Sequence, residues 1–363
     1  MSTNPRIYLD FNATAPLLVA ARDAMVRAMG VGGNPSSIHA DGRGARDLIE
    51  KARDKIAVLA GRPREQVVFT SGGTEGNLLG VMGLAALVER RGGPRVVAGA
   101  RVDHPSLRGP VAALVARGWE LRPRRIDSLA GVGLVTASAV NHEVGTCIDI
   151  AAWSAAAKKA GALLHVDAVQ AAGKLALKSL PADALVISAH KIGGPQGVGA
   201  LVISADDGLP FVEAGHQERE RRPGTENTLG IVGFGAAAAT VDVEAWADVA
   251  ALGEYFEASL IELPGVTING ATAGRIGGTV NAQFDGASGE AVVIALDLAG
   301  IAASTGAACT SGSTQPSPVL LALGLTREAA LSSVRFSLGR TTTAQEIDSV
   351  MAVLPQIVSR ARR

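Results

Sequence analysis

The residues best placed for chemistry lie in Ser188-Ala189-His190-Lys191-Ile192-Gly193-Gly194. An apolar run over 184–187 delivers Ser188, His190 and Lys191 into a glycine-rich turn, and a second apolar run over 200–203 follows. An amine at the end of a core strand can be desolvated, which lowers its pKa and makes it a nucleophile toward carbonyls. The competing reading is a strand-end lysine reaching for solvent. Other polar stretches stand in the same relation to apolar runs. Ser71-Gly72-Gly73-Thr74-Glu75 follows a strand-like run over 67–70 and precedes a helical pattern. Free backbone N–H groups and the helix dipole would then converge on an anion. The stretch lacks the Gly-Lys-Ser/Thr of a Walker motif and the spacing of a dinucleotide fingerprint, and an ordinary capped helix reads the same way. His104 follows a strand over 95–99, where it is either a catalytic or stacking ring or a solvated turn residue. Asn141-His142-Glu143 follows a strand over 133–140. Asp167 closes a strand over 163–167, as a helix N-cap or as a partner for a cation in a cleft. Residues 303–314 are almost all small, so Cys309 is expected on a mobile, exposed loop, whereas Cys147 after its glycine turn fits a buried structural thiol.

The elements that must position these groups alternate. Helical spacing is read to about residue 29, over about 42–60 with Gly61 as its stop, from the Gly73 turn to about 90, to about 117, and over about 151–160. Strands alternating with helices predict an α/β fold, a mainly parallel sheet with helices on both faces. Ligands of such sheets sit beyond the carboxyl ends of the strands. Gly73, Thr74, His104, Asn141, Asp167 and Lys191 all fall at predicted strand ends, which points to one shared site. A long helical region is expected over about 228–263. Beyond it, strands near 266–269, 278–284, 301–304 and 333–337 and helices near 289–299 and 344–360 predict a smaller α+β domain, with Pro355 kinking or shortening the last helix. The expected division is 15–245 for the large domain, with 1–14 and 246–363 forming the smaller one.

At 363 residues with 47% hydrophobic content, the chain can bury a large core. Lys+Arg and Asp+Glu are both 34, a balance that asks for neither nucleic acid nor an anionic membrane. No apolar run reaches the ~18 residues that cross a bilayer, and no signal pattern opens the chain, so a cytoplasmic location is expected. The chain has two cysteines, too few for a disulfide scaffold, and no spacing of metal ligands is expected.

Taken together and in order, these pieces resemble the pyridoxal-phosphate enzymes of the class V aminotransferase group, and more narrowly the NifS/IscS-type cysteine desulfurases. The resemblance rests on Tyr8-Leu9-Asp10-Phe11-Asn12-Ala13-Thr14, Gly33-Asn34-Pro35-Ser36-Ser37, Thr70-Ser71-Gly72-Gly73-Thr74-Glu75, His104-Pro105-Ser106 and Asn141-His142-Glu143-Val144-Gly145. It continues through His165-Val166-Asp167-Ala168-Val169-Gln170, Ser188-Ala189-His190-Lys191, Arg222-Pro223-Gly224-Thr225-Glu226-Asn227, Gly306-Ala307-Ala308-Cys309 and Arg335-Phe336-Ser337-Leu338-Gly339-Arg340. Gln196 stands where lysine is usual and Pro223 where serine is common; neither removes a catalytic group.

The resemblance implies a large domain of PLP-dependent fold type I and a homodimer with its sites at the interface. Lys191 would anchor pyridoxal 5'-phosphate through its amine. Asp167 would face the pyridine nitrogen, Gln170 the ring hydroxyl oxygen, and His104 the ring itself. Gly73, Thr74, Ser188 and His190 would hold the phosphate, joined by Thr225 from the neighbouring subunit. Arg340 would fork onto the substrate carboxylate, with Asn141 near substrate and ring oxygen and Asn34 and Arg222 as further contacts. L-cysteine would become L-alanine, with its sulfur passing to Cys309 as a persulfide for an acceptor protein, in iron–sulfur cluster assembly or other sulfur trafficking. Many relatives carry a longer C-terminal tail that touches a scaffold protein, so the acceptor stays open. The alternatives are selenocysteine lyase, an aminotransferase on the same fold, and a non-catalytic scaffold; the last would predict loss of Lys191, Asp167 or Cys309, and all three are present.

Overall fold

The computed structural model describes residues 6–204, 214–306 and 315–362. They form two compact units, one made of 1–15, 140–148 and 243–363 and the other of 16–139 and 149–242. This division differs from the expected one by a few residues at 15 and 243–245, and at 140–148, which group with the smaller unit and carry Asn141 with them.

The first unit opens with β1 (Ile7–Tyr8). The larger unit takes up the chain with α1 (Val19–Ala28), α2 (Ala40–Ala60), β2 (Val67–Thr70), α3 (Gly73–Arg90), β3 (Val96–Gly99), α4 (Pro105–Ala116), β4 (Glu120–Pro123) and β5 (Leu134–Ser138). It continues with α5 (Ile150–Ala160), β6 (Leu163–Asp167), β7 (Ala184–Ser188), β8 (Gly199–Ile203) and α6 (Thr228–Ala238). The seven strands lie in the order β2-β8-β7-β6-β5-β3-β4. All neighbours are parallel except β8, which runs antiparallel to both β2 and β7. The mainly parallel sheet expected from the alternation is therefore present, as a mixed sheet with one reversed strand. Its central strands β7 and β8 are buried on both faces, as continuous aliphatic runs demand. The core beneath α3 and α4 joins Val81, Leu84, Leu107 and Leu114 to Leu134, Val186 and Leu201.

The helical region expected over 228–263 is made of two helices: its glycine- and alanine-rich first part is α6, which ends at Ala238, and α7 (Trp246–Ile261) begins in the other unit. That unit continues with β9 (Val266–Ile268), β10 (Thr279–Phe284), α8 (Gly289–Leu298), β11 (Ile301–Ala302), α9 (Pro318–Ala322), α10 (Arg327–Leu331), β12 (Ser333–Ser337) and α11 (Ala344–Ala361). Strands β12-β10-β9 make an antiparallel sheet, and β1 pairs in parallel with β11. Pro355 neither shortens nor ends α11. It stands on the exposed side, while Ile347, Val350, Leu354 and Val358 form the buried stripe that carries the helix past it. Among the described residues, no helix is long and apolar enough to cross a membrane.

One ion pair is conspicuous in the larger unit. Arg53 forks onto Glu218, with Nη1 and Nη2 donating to the two carboxylate oxygens at 2.8 Å each, and both side chains are buried. Glu218 also accepts the Phe69 N–H at 2.8 Å, and the guanidinium lies 4.8 Å from the centre of the Phe69 ring. Removing one member of such a pair strands a buried charge. Glu218→Gln is expected to lower unfolding free energy by about 3–5 kcal/mol, read from urea denaturation; a loss under 1 kcal/mol would show the pair to be dispensable.

Candidate active site

The larger unit brings most of the expected residues to the carboxyl ends of its strands. In register, Ser188 at the end of β7 and Thr70 at the end of β2 both pair with Gly199 of β8. The expected turn at Gly73-Thr74 is instead the first turn of α3, whose N-cap, Gly72, supplies no side-chain hydrogen bond. A Cβ on Gly73 would come within 2.7 Å of Val169 Cγ2 and 3.7 Å of Ser188 Cβ. The helix start thus presses against Ser188 at the distance where any larger residue would fill the space. Ser188 Oγ is buried with no hydrogen-bond partner. Uncapped helix N–H groups beside an orphaned hydroxyl are the donor set of an anion site. His190 and Lys191 follow in a single 3-10 turn. Burial, then the charge of Lys191, pushes the His190 imidazole down to about 4, so the ring is neutral at pH 7.

Asp167 ends β6, one strand over from β7, and is buried. Its Oδ1 accepts the Val169 N–H at 2.9 Å and its Oδ2 accepts from Asn77 Nδ2 at 2.8 Å. Gln170, three residues on, is buried and accepts from Lys174 Nζ through Oε1 at 3.2 Å. Since Lys174 only donates, Gln170 turns its Oε1 to the lysine and keeps its Nε2 as the donor for any other contact. His104 caps α4: its Nδ1 accepts the Ser106 N–H at 3.1 Å and lies 2.8 Å from Ser106 Oγ.

Other expected residues have local partners. Asn34 is exposed, and its Oδ1 accepts the Ser36 N–H at 2.9 Å. Arg222, expected near the substrate, forks onto Glu75, with Nε donating at 2.9 Å and Nη2 at 3.4 Å. Burial raises the Glu75 pKa, but the Arg222 and Ser71 hydrogen bonds outweigh it and hold the carboxyl below its ordinary value. Thr74 and Thr225 are exposed. Asn141 and Arg340 belong to the other unit. Asn141 Oδ1 accepts the N–H groups of Glu143 and Val144 at 2.9 and 3.1 Å, so any ligand contact it makes is made as a donor. Arg340 lies exposed just past β12. Cys147 is half-buried, its Sγ 3.7 Å from the Gly145 carbonyl oxygen, rather than fully buried as expected. Cys309 lies outside the described residues.

The sequence motifs give Asn77, Ser106, His165, Lys174 and Glu75 no role, yet these residues hold the ones that have one. A signal existed. His165 and Asp167 are two apart in an aliphatic strand, so they share a face. Gly73, Gly76, Asn77 and Gly80 fall at helical spacing, so they share a stripe. A Cβ on Gly76 would reach Val186 at 2.8 Å, and one on Gly80 would reach His165 at 2.4 Å. The stripe lets α3 lie close on the sheet, with Asn77 as its one long polar side chain.

A mainly parallel sheet that gathers a lysine, a buried aspartate and an anion cradle at its strand ends defines a pyridoxal-phosphate-dependent enzyme of fold type I. The family model for class-V aminotransferases matches residues 7–350. A protein named cysteine desulfurase 2 from Trichormus variabilis is 37% identical, over 98% of this chain and 94% of its own. An IscS-like cysteine desulfurase from Mycobacterium tuberculosis is also 37% identical, over 98% and 97%. Among solved structures, a NifS-like protein superposes with a TM-score of 0.88 at 28% identity, covering 98% of this chain and all 100% of the other. A NifS-like protein from Rickettsia africae gives 0.85 at 30% identity, over 98% and 99%. The chain belongs to the class-V aminotransferase family, among its cysteine desulfurases, and its cofactor is pyridoxal 5'-phosphate.

Burial pushes the His165 imidazole down to about 3. The folded value lies below the unfolded one, near 6.5, so the neutral buried ring favours the native state fully above pH ~6.5, and that contribution is lost as pH falls toward 3. Between pH 7 and pH 5 the wild type should lose about 2 kcal/mol more unfolding free energy than His165→Gln. Parallel urea titrations of the two proteins check this, and equal losses would refute it.

Proposed function

We propose that the enzyme converts L-cysteine to L-alanine and carries the released sulfur as a persulfide on Cys309 until an acceptor protein takes it. The observation that carries this reading is the cradle at the start of α3: uncapped N–H groups, the orphaned Ser188 hydroxyl and neutral His190 together suit a phosphate, with Lys191 and Asp167 next along the strand ends. Gly73, Thr74, Ser188 and His190 hold that phosphate, and Thr225 of a second subunit completes it. Asp167 faces the pyridine nitrogen and Gln170 donates to the ring hydroxyl oxygen. When bound, pyridoxal phosphate supplies a sink for the electrons left at the substrate Cα.

The chain's own residues supply the rest. Lys191 anchors the cofactor and, once the substrate amine has taken its place, removes the Cα proton. Arg340 fixes the substrate carboxylate, and Asn141 donates to the substrate or the ring oxygen. His104 exchanges protons beside the departing sulfur. The Cys309 thiolate attacks the substrate sulfur; the Cβ–S bond breaks, an S–S bond forms, and Cβ keeps the electron pair and takes a proton. Arg222 acts through Glu75, holding the helix start rather than the substrate. The two units correspond to the large cofactor domain and the smaller domain of the fold, and the working enzyme is a cytoplasmic homodimer.

Purified protein with pyridoxal phosphate and a thiol reductant should release equimolar sulfide and alanine from L-cysteine. Cys309→Ser should keep the yellow colour of bound cofactor and release no sulfide. Normal turnover by that variant would exclude the persulfide on Cys309, and a yellow wild type that yields neither product would exclude L-cysteine as substrate.

A further inference from the structure

Asn77 is fully buried, and each of its polar atoms is committed. Its Nδ2 donates to Asp167 Oδ2 and to Ser106 Oγ, both at 2.8 Å. Its Oδ1 lies 2.9 Å from His165 Nε2. A carboxylate oxygen on one side requires the NH2 there, so the amide has one orientation. His165 must then carry its proton on Nε2 to donate to Oδ1. His165 Nδ1, buried without a partner, agrees with that tautomer.

The hydrogen-bond chain continues toward His104. Ser106 Oγ accepts from Asn77, which leaves its own proton to donate. Its near neighbour is His104 Nδ1 at 2.8 Å, an atom that already accepts the Ser106 backbone N–H. Two donors therefore meet at Nδ1. The neutral ring bears its proton on Nε2, and taking up a second proton at Nδ1 would forfeit both bonds.

We propose that Asn77 is a positioning residue that ties the orientation of Asp167 to the tautomer of His104 through Ser106, so that His104 exchanges protons with the substrate at Nε2. The roles of Asp167 and His104 toward the cofactor rest on the proposed function; the link between them rests on this hydrogen-bond chain alone.

Two substitutions test the link. Ser106→Ala deletes one donor to Nδ1. In Asn77→Asp, the oxygen that replaces Nδ2 carries at most one proton and cannot donate to both Asp167 and Ser106. The Ser106 hydroxyl then turns toward it, and Nδ1 again loses a donor. Loss of one such bond is worth about tenfold in proton affinity. The readout is exchange of the His104 ring C2 hydrogen for deuterium as a function of pH, followed by mass spectrometry in the full-length, cofactor-loaded protein. The His104 titration is expected to move up by about one pH unit in both variants, with His216, an exposed ring outside the chain of bonds, unmoved as the control. A merely structural role would lower stability without moving His104 alone. If Asn77→Asp fails to fold, Ser106→Ala decides by itself: a His104 curve superimposed on wild type overturns the proposal. Because exchange is read without turnover, a protein that fails to desulfurate cysteine but shows the shift would sink the proposed function and keep the link.

Discussion

A carboxylate buried at the end of a β-strand must find donors, and much of the larger unit is arranged around satisfying Asp167. One donor is local, the Val169 N–H two residues on. Another comes from above the sheet, and Asn77 reaches Asp167 only because α3 lies close to it. The closeness comes from Gly73, Gly76 and Gly80, each at a point where a Cβ would meet Val169, Val186 or His165 within 3 Å. Glycine inside a helix costs about 0.5–1 kcal/mol per residue relative to alanine. Leaving a buried charged or polar group without its partner costs about 1–3 kcal/mol. The two magnitudes are comparable, so the glycine stripe makes sense as the price of lodging the carboxylate, the amide and His165 in one dry layer. The same close approach brings the uncapped helix start against Ser188. One packing constraint thereby serves both the carboxylate and the anion cradle.

The smaller unit solves a similar problem differently. Residues 140–148 make a tight turn organised by Asn141, and buried side chains hold it. Arg335, on β12, donates to the His142 carbonyl oxygen at 3.0 Å and to Asp10 at 2.7 Å. Asn12 donates to the same carbonyl at 3.2 Å. Glu143 accepts from Ser317 Oγ at 2.5 Å, just before α9. A segment far in sequence from the rest of its unit is thus fixed by charged and amide donors together with the packing of Val144 on Leu320 and Ala330. Apolar periodicity does not show such a grouping: pattern reports burial against a sheet, and these contacts come from residues more than a hundred positions away.

Legibility in the sequence followed the same line. Strands made of near-continuous apolar residues were read almost to the residue, because they are buried on both faces and such runs stand out in the sequence. Lys191, Asp167, Ser188 and the start of α3 were legible because they follow such runs directly. Strand β4 was missed: Glu120–Pro123 is a polar edge strand, paired on one side only. Helices α9 and α10, five residues each, are too short for a period to show. Pro355 was over-read, since an amphipathic stripe can carry a helix past a proline on its exposed side. Asn77 and Ser106 stayed hidden because each looks, in sequence, like an ordinary polar residue near a helix start. Their meaning lies in which atoms they face, and only the fold settles that.

The loop that bears Arg222 and Thr225 shows how a strained backbone can be held without glycine. Glu218, Arg219 and Glu220 have φ values of 48, 58 and 65°. That left-handed region costs side-chain-bearing residues roughly 1–2 kcal/mol each. The Arg53–Glu218 fork is buried beneath the run, with the Phe69 N–H as a third bond. Arg219 adds a donor to the Glu65 carbonyl oxygen at 2.8 Å. Four residues beyond Glu218, Arg222 is clamped to Glu75 at the start of α3. The segment is therefore fixed at two points, one under β2 and one at the anion cradle. Thr225 projects from the second point, exposed, three residues past the clamp. The role proposed for Thr225 toward a second subunit calls for such an arrangement: a rigid base within its own fold, and a side chain that its own fold does not cover.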